Sequence, residues 1–430
     1  MKNSLFNHFL LIDNSHILYN TLTNSVLLLE PALVDLYKAA VAENDVDGLG
    51  NYHPTFFQKL LEDRYIVTDD ANEIEEVREI MNRVDADEFR YHLVINPTMN
   101  CNFKCWYCYE SHIKDSKMDL STINNIVKHL DQVLSANSKI NEVIISWFGG
   151  EPLLYFEKVM LPIYKEIDLL KEKYKVTVSS NITTNGFLIK ENMIAEFKKY
   201  DLNDFQITLD GNRFLHDTVR FVSKSRGSYD DIVHNMKLLA RNEFRVIVRI
   251  NYTKTNLPDI EEIYEDFQDL TDADKRFLTF NLHKVWQEED QTLNDRADEV
   301  VSFFRTKGLK GGNAYVPDTL QNSCYADRSN HATVNYDGKV FKCTARDFSD
   351  TNSEGVINED GEIVWNHKYH DRMSIKLKNK PCHTCNILPL CNGGCSQAAI
   401  EANGEDYCVF DFDQKVKDDI VYRKVKNILL

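Results

Sequence analysis

Two rhythms of apolar residues run along this chain. Between residues 90 and 305, short β-branched and aromatic stretches at 91–96, 142–148, 175–184, 204–209, 245–252 and 277–285 read as strands. Stretches with apolar residues three and four apart, at 121–135, 156–173, 190–200, 229–241, 257–270 and 293–304, read as helices between and after them. Six such repeats predict a parallel sheet, because each return to the same end of a sheet must span a crossover. Before residue 87 the texture differs. Strands are predicted over 8–12, 17–21 and 25–29, helices over 31–43 and 54–63, a returning strand over 65–68 and a helix over 72–84. That order is winged-helix-like. Beyond residue 310 the pattern breaks into short strands and turns, with Asn335–Lys339 (NYDGK) as a hairpin turn. Units over 1–86, 87–309 and 310–430 follow, in keeping with a 430-residue chain too long for one ordinary core.

The formal net charge of −17 argues against a general nucleic-acid surface, which needs clustered Lys and Arg. No apolar run approaches the ~20 residues that span a membrane, and the first ten residues lack a signal peptide's basic start, so a cytoplasmic protein is expected. Ten cysteines in such a chain are expected as thiols or metal ligands rather than disulfides. They form two districts: three lie between 101 and 108, none from 109 to 323, and seven between 324 and 408.

Cys101, Cys105 and Cys108 stand at spacing C-x3-C-x2-C, just after the strand that Pro97 stops. Three thiolates can hold a [4Fe-4S] cube with one iron left for a small molecule. Zinc with His112 as fourth ligand is the alternative. Gly149-Gly150-Glu151-Pro152 follows the second strand, where glycines let the backbone approach a ligand and Glu151 offers a carboxylate; an ordinary turn has the same composition. Thr184-Asn185-Gly186 and Thr208-Leu209-Asp210-Gly211 end the next two strands, and His216-Asp217-x-x-Arg220 follows. Asp210 and Arg220 also fit a structural ion pair, and Asn251 and His283 end the last two strands.

The loop with Tyr107 before its last cysteine, the GGEP stretch one strand later and the six repeats together resemble the radical S-adenosylmethionine (SAM) enzymes. The resemblance implies an α/β fold with a partial (β/α)6 barrel, and SAM chelated to the open iron. Tyr107 would lie near its adenine, Gly149, Gly150, Glu151 and Pro152 at its amino group, and Thr208 and Arg220 at its ribose or carboxylate. Reductive cleavage of SAM would give a 5'-deoxyadenosyl radical.

The second district reads Cys324-x13-Gly338-x4-Cys343, then Cys382-x2-Cys385-x5-Cys391-x3-Cys395, then x12 to Cys408. Cysteines 382 to 395 alone fit a zinc knuckle. The whole pattern resembles the cysteine-rich SPASM domain, which implies two auxiliary clusters, both expected as [4Fe-4S]: Cys324, Cys343 and Cys395 for the first, Cys382, Cys385, Cys391 and Cys408 for the second. Where some members carry a further cysteine this chain reads Pro317-Asp318-Thr319-Leu320-Gln321-Asn322, so the first cluster has an open iron or is closed by Asp318. The front unit resembles the leader-recognition element of peptide-modifying enzymes, and capping the barrel or mediating dimers is its other reading. A maturase that cross-links a ribosomally made precursor peptide, fed by a low-potential donor such as flavodoxin or ferredoxin, is the expectation. The alternatives are an anaerobic sulfatase-maturating enzyme, although Thr344 stands where those members carry an Asp after the cysteine matching Cys343, and a non-catalytic Fe-S or zinc protein that binds a peptide.

Overall fold

The computed structural model describes residues 1–223, 225–288, 290, 292–313 and 320–429. They gather into two compact units, one from 1–87, 316–329 and 370–430, the other from 88–315 and 330–369.

In the first unit, β1 (Lys2–Asn3) pairs with β5 (Ile66–Val67), and β2 (Asn7–Ile12), β3 (Ser15–Asn20) and β4 (Val26–Leu29) make an antiparallel meander. The turn between β2 and β3 is Asp13-Asn14, both at positive φ (49° and 63°), the backbone that a tight two-residue hairpin requires. Helices Pro31–Ala42 and Pro54–Glu62 each begin on a proline, whose missing N–H is not needed there. Helix Glu73–Asp85 is stapled to the first strand by the buried Glu73 carboxylate, which accepts from Ser4 Oγ (2.5 Å) and the Leu5 N–H (2.9 Å). The meander does not stand alone. Ile12, Ile17 and Tyr19 share a core with Ile387, Leu390 and the last helix's Ile420, Val421 and Val425.

The second unit is built on one sheet. Its central strands are β6 (Arg90–Ile95), β7 (Glu142–Trp147), β8 (Thr177–Thr184) and β9 (Leu202–Leu209), and β10 (Phe221–Ser223) and β11 (Arg226–Gly227) form a separate small hairpin. β12 (Arg245–Tyr252), β13 (Leu278–Lys284) and β14 (Lys310–Asn313) continue the sheet at one side; β15 (His331–Val334), β16 (Lys339–Phe341), β17 (Gly355–Ile357) and β18 (Ile363–Trp365) extend it at the other. The order is β14-β13-β12-β9-β8-β7-β6-β15-β16-β17-β18, parallel from β14 to β15 and antiparallel beyond. This is the expected α/β barrel-type sheet, with two parallel strands more than the six that the sequence pattern predicts. β14 reads Lys-Gly-Gly-Asn, which has no apolar period to reveal it, and β15 belongs to the predicted hairpin around Asn335.

Helices between the strands bury Ile126, Leu130, Ile163, Ile167, Met236, Leu239 and Phe304 against Leu93, Ile145, Phe205 and Val248. The helix expected over 156–173 starts with a wide turn, Phe156–Met160, before Leu161–Tyr174, because Pro162 has no N–H for a continuous ladder. The stretch from Leu257 to Phe267 winds tighter than an α-helix. Helix Arg213–Val219, unpredicted, is a short one capped by Asn212, which accepts from the Leu215 N–H (3.0 Å).

Inside this core the Trp147 indole N–H donates to Tyr164 Oη (2.6 Å), and the Tyr164 ring stacks on Tyr200 at 5.0 Å. Tyr164→Phe leaves a buried donor without its acceptor and is expected to lower the unfolding free energy by about 1–3 kcal/mol, read by denaturant titration of Trp fluorescence.

Candidate active site

The motif residues of the second unit lie at the carboxyl ends of its parallel strands or on the segments that follow them, the end where an α/β barrel assembles its chemistry. The cysteine loop follows β6. Its base is closed by the Met118 N–H to Pro97 O (2.9 Å), by Thr98 Oγ1 to Ser116 O (2.6 Å) and by the Met99 N–H to Ser116 Oγ (3.0 Å). Cys101 and Cys105 are half-buried and Cys108 is exposed. The Phe103 N–H points at Cys101 Sγ (3.4 Å), and burial, aided by the Glu151 charge, pushes the Cys101 thiol up to about 12. Without iron that thiol keeps its proton, and ligation must displace it.

The Gly149–Pro152 turn is laid against this loop. The Gly150 N–H donates to Thr98 O (3.1 Å) and the Glu151 N–H to Asn100 O (2.9 Å), so the sheet's pairing continues one turn past the strand ends. Side chains are excluded here. A Cβ on Gly150 would stand 2.3 Å from Asn100 O, and one on Gly149, at φ +97°, 2.6 Å from Thr98 O. Glu151 is fully buried and accepts from the Leu153 N–H (3.0 Å), Thr184 Oγ1 (2.7 Å) and the Asn185 N–H (2.7 Å). Burial pushes its carboxyl upward while those donors pull it down. It therefore fastens the Thr184-Asn185-Gly186 turn to the glycine turn, and Asn185 Nδ2 continues to Asn102 Oδ1 (2.8 Å) in the cysteine loop. Pro152 is buried at the start of a short 3-10 turn.

A second group ties the cysteine loop to the loop after β9. Tyr107 Oη donates to Asp210 Oδ1 (2.5 Å), Arg220 Nε to Asp210 Oδ2 (2.7 Å) and Arg220 Nη2 to Tyr107 Oη (2.7 Å). Asp210 and Arg220 are both buried, so their ion pair is a desolvated one. The ion pair read as an alternative is present, and it reaches the aromatic residue of the cysteine loop. His216 builds its support: its Nδ1 accepts from the Asp210 N–H (3.2 Å), while Nε2 meets Ser228 Oγ (3.1 Å), which donates to Arg220 O (2.9 Å). Register puts Thr208, Arg249 and Asn281 in one row across β9, β12 and β13, with Asn251 and His283 in another. Arg249 Nε donates to Asn251 Oδ1 (2.9 Å). Arg249 escaped the motif reading; its signal is a cation two residues from Asn251, on the same strand face, in an otherwise apolar run.

On the outer side of the loop, Tyr109 stacks on Trp286 (5.4 Å, 14°) and donates to Thr344 O (2.8 Å), while Arg346 lies over the Trp286 ring at 5.4 Å. Asp347 accepts from the Ser111 N–H and Oγ (both 3.2 Å). Cys343, half-buried, belongs to this unit, and Cys324 and Cys395, both exposed, to the other. Asp318 lies outside the described residues.

In the first unit, Cys382, Cys385, Cys391 and Cys408 line one pocket together with Asn379, Tyr407, Phe410 and Lys417. The Cys385 carbonyl's neighbour is fixed by the meander: Asn386 O accepts from Thr21 Oγ1 (2.8 Å) and meets His8 Nε2 (3.2 Å). Among the described residues no three or more His, Cys, Asp or Glu side chains close on one point as the ligands of a single metal ion do. A cube takes each thiolate on a separate iron and so needs no such convergence on one point. The half-buried thiols of the cysteine loop and the four thiols around one pocket fit such groups.

Two results are expected. Gly150→Ala drives a methyl into the backbone of Asn100 and should lower the iron content of the protein, read by iron analysis against Cys101→Ala. Burial holds the His216 imidazole down at about 4, below its ordinary 6.5, so the unfolded chain takes up a proton first as pH falls. Stability should therefore drop below pH 6.5, by up to about 1.4 kcal/mol per pH unit, and His216→Gln should flatten that slope in denaturant titrations.

Residues 95–267 match the family described as the Radical SAM superfamily. Over 84% of this chain and 79% of its own length, the radical SAM cyclopropyl synthase TigE of Paramaledivibacter caminithermalis is 25% identical. The cysteine-type anaerobic sulfatase-maturating enzyme of Clostridium novyi is 27% identical over 70% of this chain and 87% of its own. Streptococcus suis SuiB, solved bound to its precursor peptide SuiA, superposes with a TM-score of 0.55 at 16% identity, covering 94% of this chain and 98% of its own, which is a likeness of fold. That family match lies over the cysteine loop, the glycine turn and Arg220, so residues 95–267 form a radical SAM domain.

Proposed function

We propose that this enzyme joins two residues of a ribosomally made precursor peptide through a thioether or carbon-carbon bond. The observation that carries the reading is the pocket of four thiols that accompanies, in the same chain, the three-thiol loop of the barrel-type sheet. A [4Fe-4S] cluster and SAM supply hydrogen-atom abstraction from an unactivated carbon. Cys101, Cys105 and Cys108 hold that cluster. Backbone groups of the glycine turn receive the amino end of SAM, with Glu151 behind them fixing the turn. Tyr107, Thr208 and Arg220 line the remainder of its site, and Asp210 offsets the Arg220 charge so that the wall is polar without a bare cation.

A cross-link removes two hydrogens from the peptide. One leaves as an atom; the other leaves as a proton and an electron, and the electron needs an acceptor. The four-thiol pocket would hold one such acceptor, and a low-potential carrier such as flavodoxin or ferredoxin would complete the circuit. The leader would add to the edge of the meander as a further strand, beside β4, where Leu28 is exposed. The sulfatase-maturating alternative is favoured by the Clostridium novyi relative. Against it stand Thr344 in place of an Asp, and Asp347, whose carboxylate is engaged by Ser111.

The test is anaerobic turnover of the reduced, cluster-loaded chain with SAM and the peptide encoded beside its gene, read by mass spectrometry. The expected outcome is 5'-deoxyadenosine together with a peptide about two mass units lighter. Formylglycine in a sulfatase-derived peptide, with the neighbouring peptide unchanged, would replace this reading with the alternative.

A further inference from the structure

The four-thiol pocket has a polar side that its cysteines do not provide. Asn379 is buried at its rim and makes three contacts with one amide: Nδ2 donates to Cys382 Sγ (3.3 Å) and to Tyr407 O (2.5 Å), while Oδ1 accepts from the Tyr407 N–H (3.1 Å). It thereby clasps both backbone groups of the residue preceding Cys408 and one thiol of the 382–391 segment. Tyr407 is fixed from its other end as well, its Oη donating to Gly393 O (2.6 Å). Lys417, on the helix Gln414–Leu429, lines the same pocket and is half-buried.

A reduced iron-sulfur cluster carries one more negative charge than its oxidised form, so a hydrogen bond to a ligand sulfur or a nearby ammonium favours reduction.

We propose that Asn379 is a positioning residue that sets the spacing between Cys382 and Cys408 and, with Lys417, raises the reduction potential of the cluster held there. The inference rests on the auxiliary-cluster reading above and gives that cluster a direction. It is tuned to accept an electron, as oxidation of a peptide radical requires, rather than to deliver one to SAM.

Redox titration of the anaerobic, cluster-loaded chain with dithionite and mediators, followed by electron paramagnetic resonance, tests this. The relevant signal is the one that Cys391→Ala removes. Asn379→Asp keeps the acceptor for the Tyr407 N–H and loses both donations. At a fixed potential its reduced-to-oxidised ratio should fall about tenfold, a shift of about 59 mV to the negative side. Lys417→Met should give a fall of about threefold and Lys417→Arg the parent value, with the signal of the Cys101, Cys105 and Cys108 cluster unmoved in all. Loss of iron in Asn379→Asp would support the clasp and leave Lys417→Met to decide the potential. An unmoved potential in both variants at full iron content would overturn the proposal. If Cys391→Ala removes neither signal nor iron, the auxiliary-cluster reading itself falls, and the proposal with it.

Discussion

Gly150 sits where a methyl group cannot, and much of the site depends on that contact. Because its position lies 2.3 Å, by a would-be Cβ, from Asn100 O, the turn after β7 can pair with the loop after β6 as if both were still strands. Two backbone hydrogen bonds then fix the approach to the first cysteine, and the buried Glu151 carboxylate carries the registration one strand further, to Thr184 and Asn185. The cysteine loop is long and polar, and it would have no reason to hold one shape alone. It is held by neighbours whose own positions the parallel sheet sets.

On the other side of the loop the constraint is electrostatic. Burying Arg220 and Asp210 costs desolvation that a salt bridge by itself recovers poorly. Here Tyr107 donates to the carboxylate and accepts from the guanidinium, so each partner is hydrogen-bonded as well as paired. His216, kept neutral by burial, accepts from the Asp210 backbone with one nitrogen and, through Ser228, steadies the Arg220 carbonyl with the other. Hydrogen bonding thus explains why the His216-Asp217-x-x-Arg220 run has its spacing: a short helix carries the imidazole, and Arg220, the residue that caps its end, brings the guanidinium to the same loop.

What could be read in the sequence follows from which signals are local. The six central strands and the helix Tyr229–Arg241 announce themselves by period, because each buries a face against its immediate neighbours. β14 does not, since Lys-Gly-Gly-Asn is recruited by pairing with β13 alone. The cysteine spacings mark the thiols, but not that Cys382, Cys385, Cys391 and Cys408 would share one pocket with Asn379, which lies three residues before the first of them and looks like any loop asparagine. Arg249 was hidden for the opposite reason. A charged residue in a strand is commonplace at an edge, and only the register with Thr208 and Asn281 shows it to be in the middle of the sheet.

The two thiol sets differ in the number of ligands they offer, and the difference has a chemical sense. Three thiolates leave an iron free to bind a small molecule and so to direct an electron into one particular bond. Four leave none, and a cluster so closed has only electron transfer to contribute. In the first unit the meander packs its inner face on the segment that carries Cys385, and Thr21 and His8 fasten Asn386 beside it. A peptide strand added to that meander would therefore bear on the same small core that supports the closed pocket. On the reading proposed here, holding the substrate and receiving its electron draw on one folded unit, and hydrogen abstraction on the other.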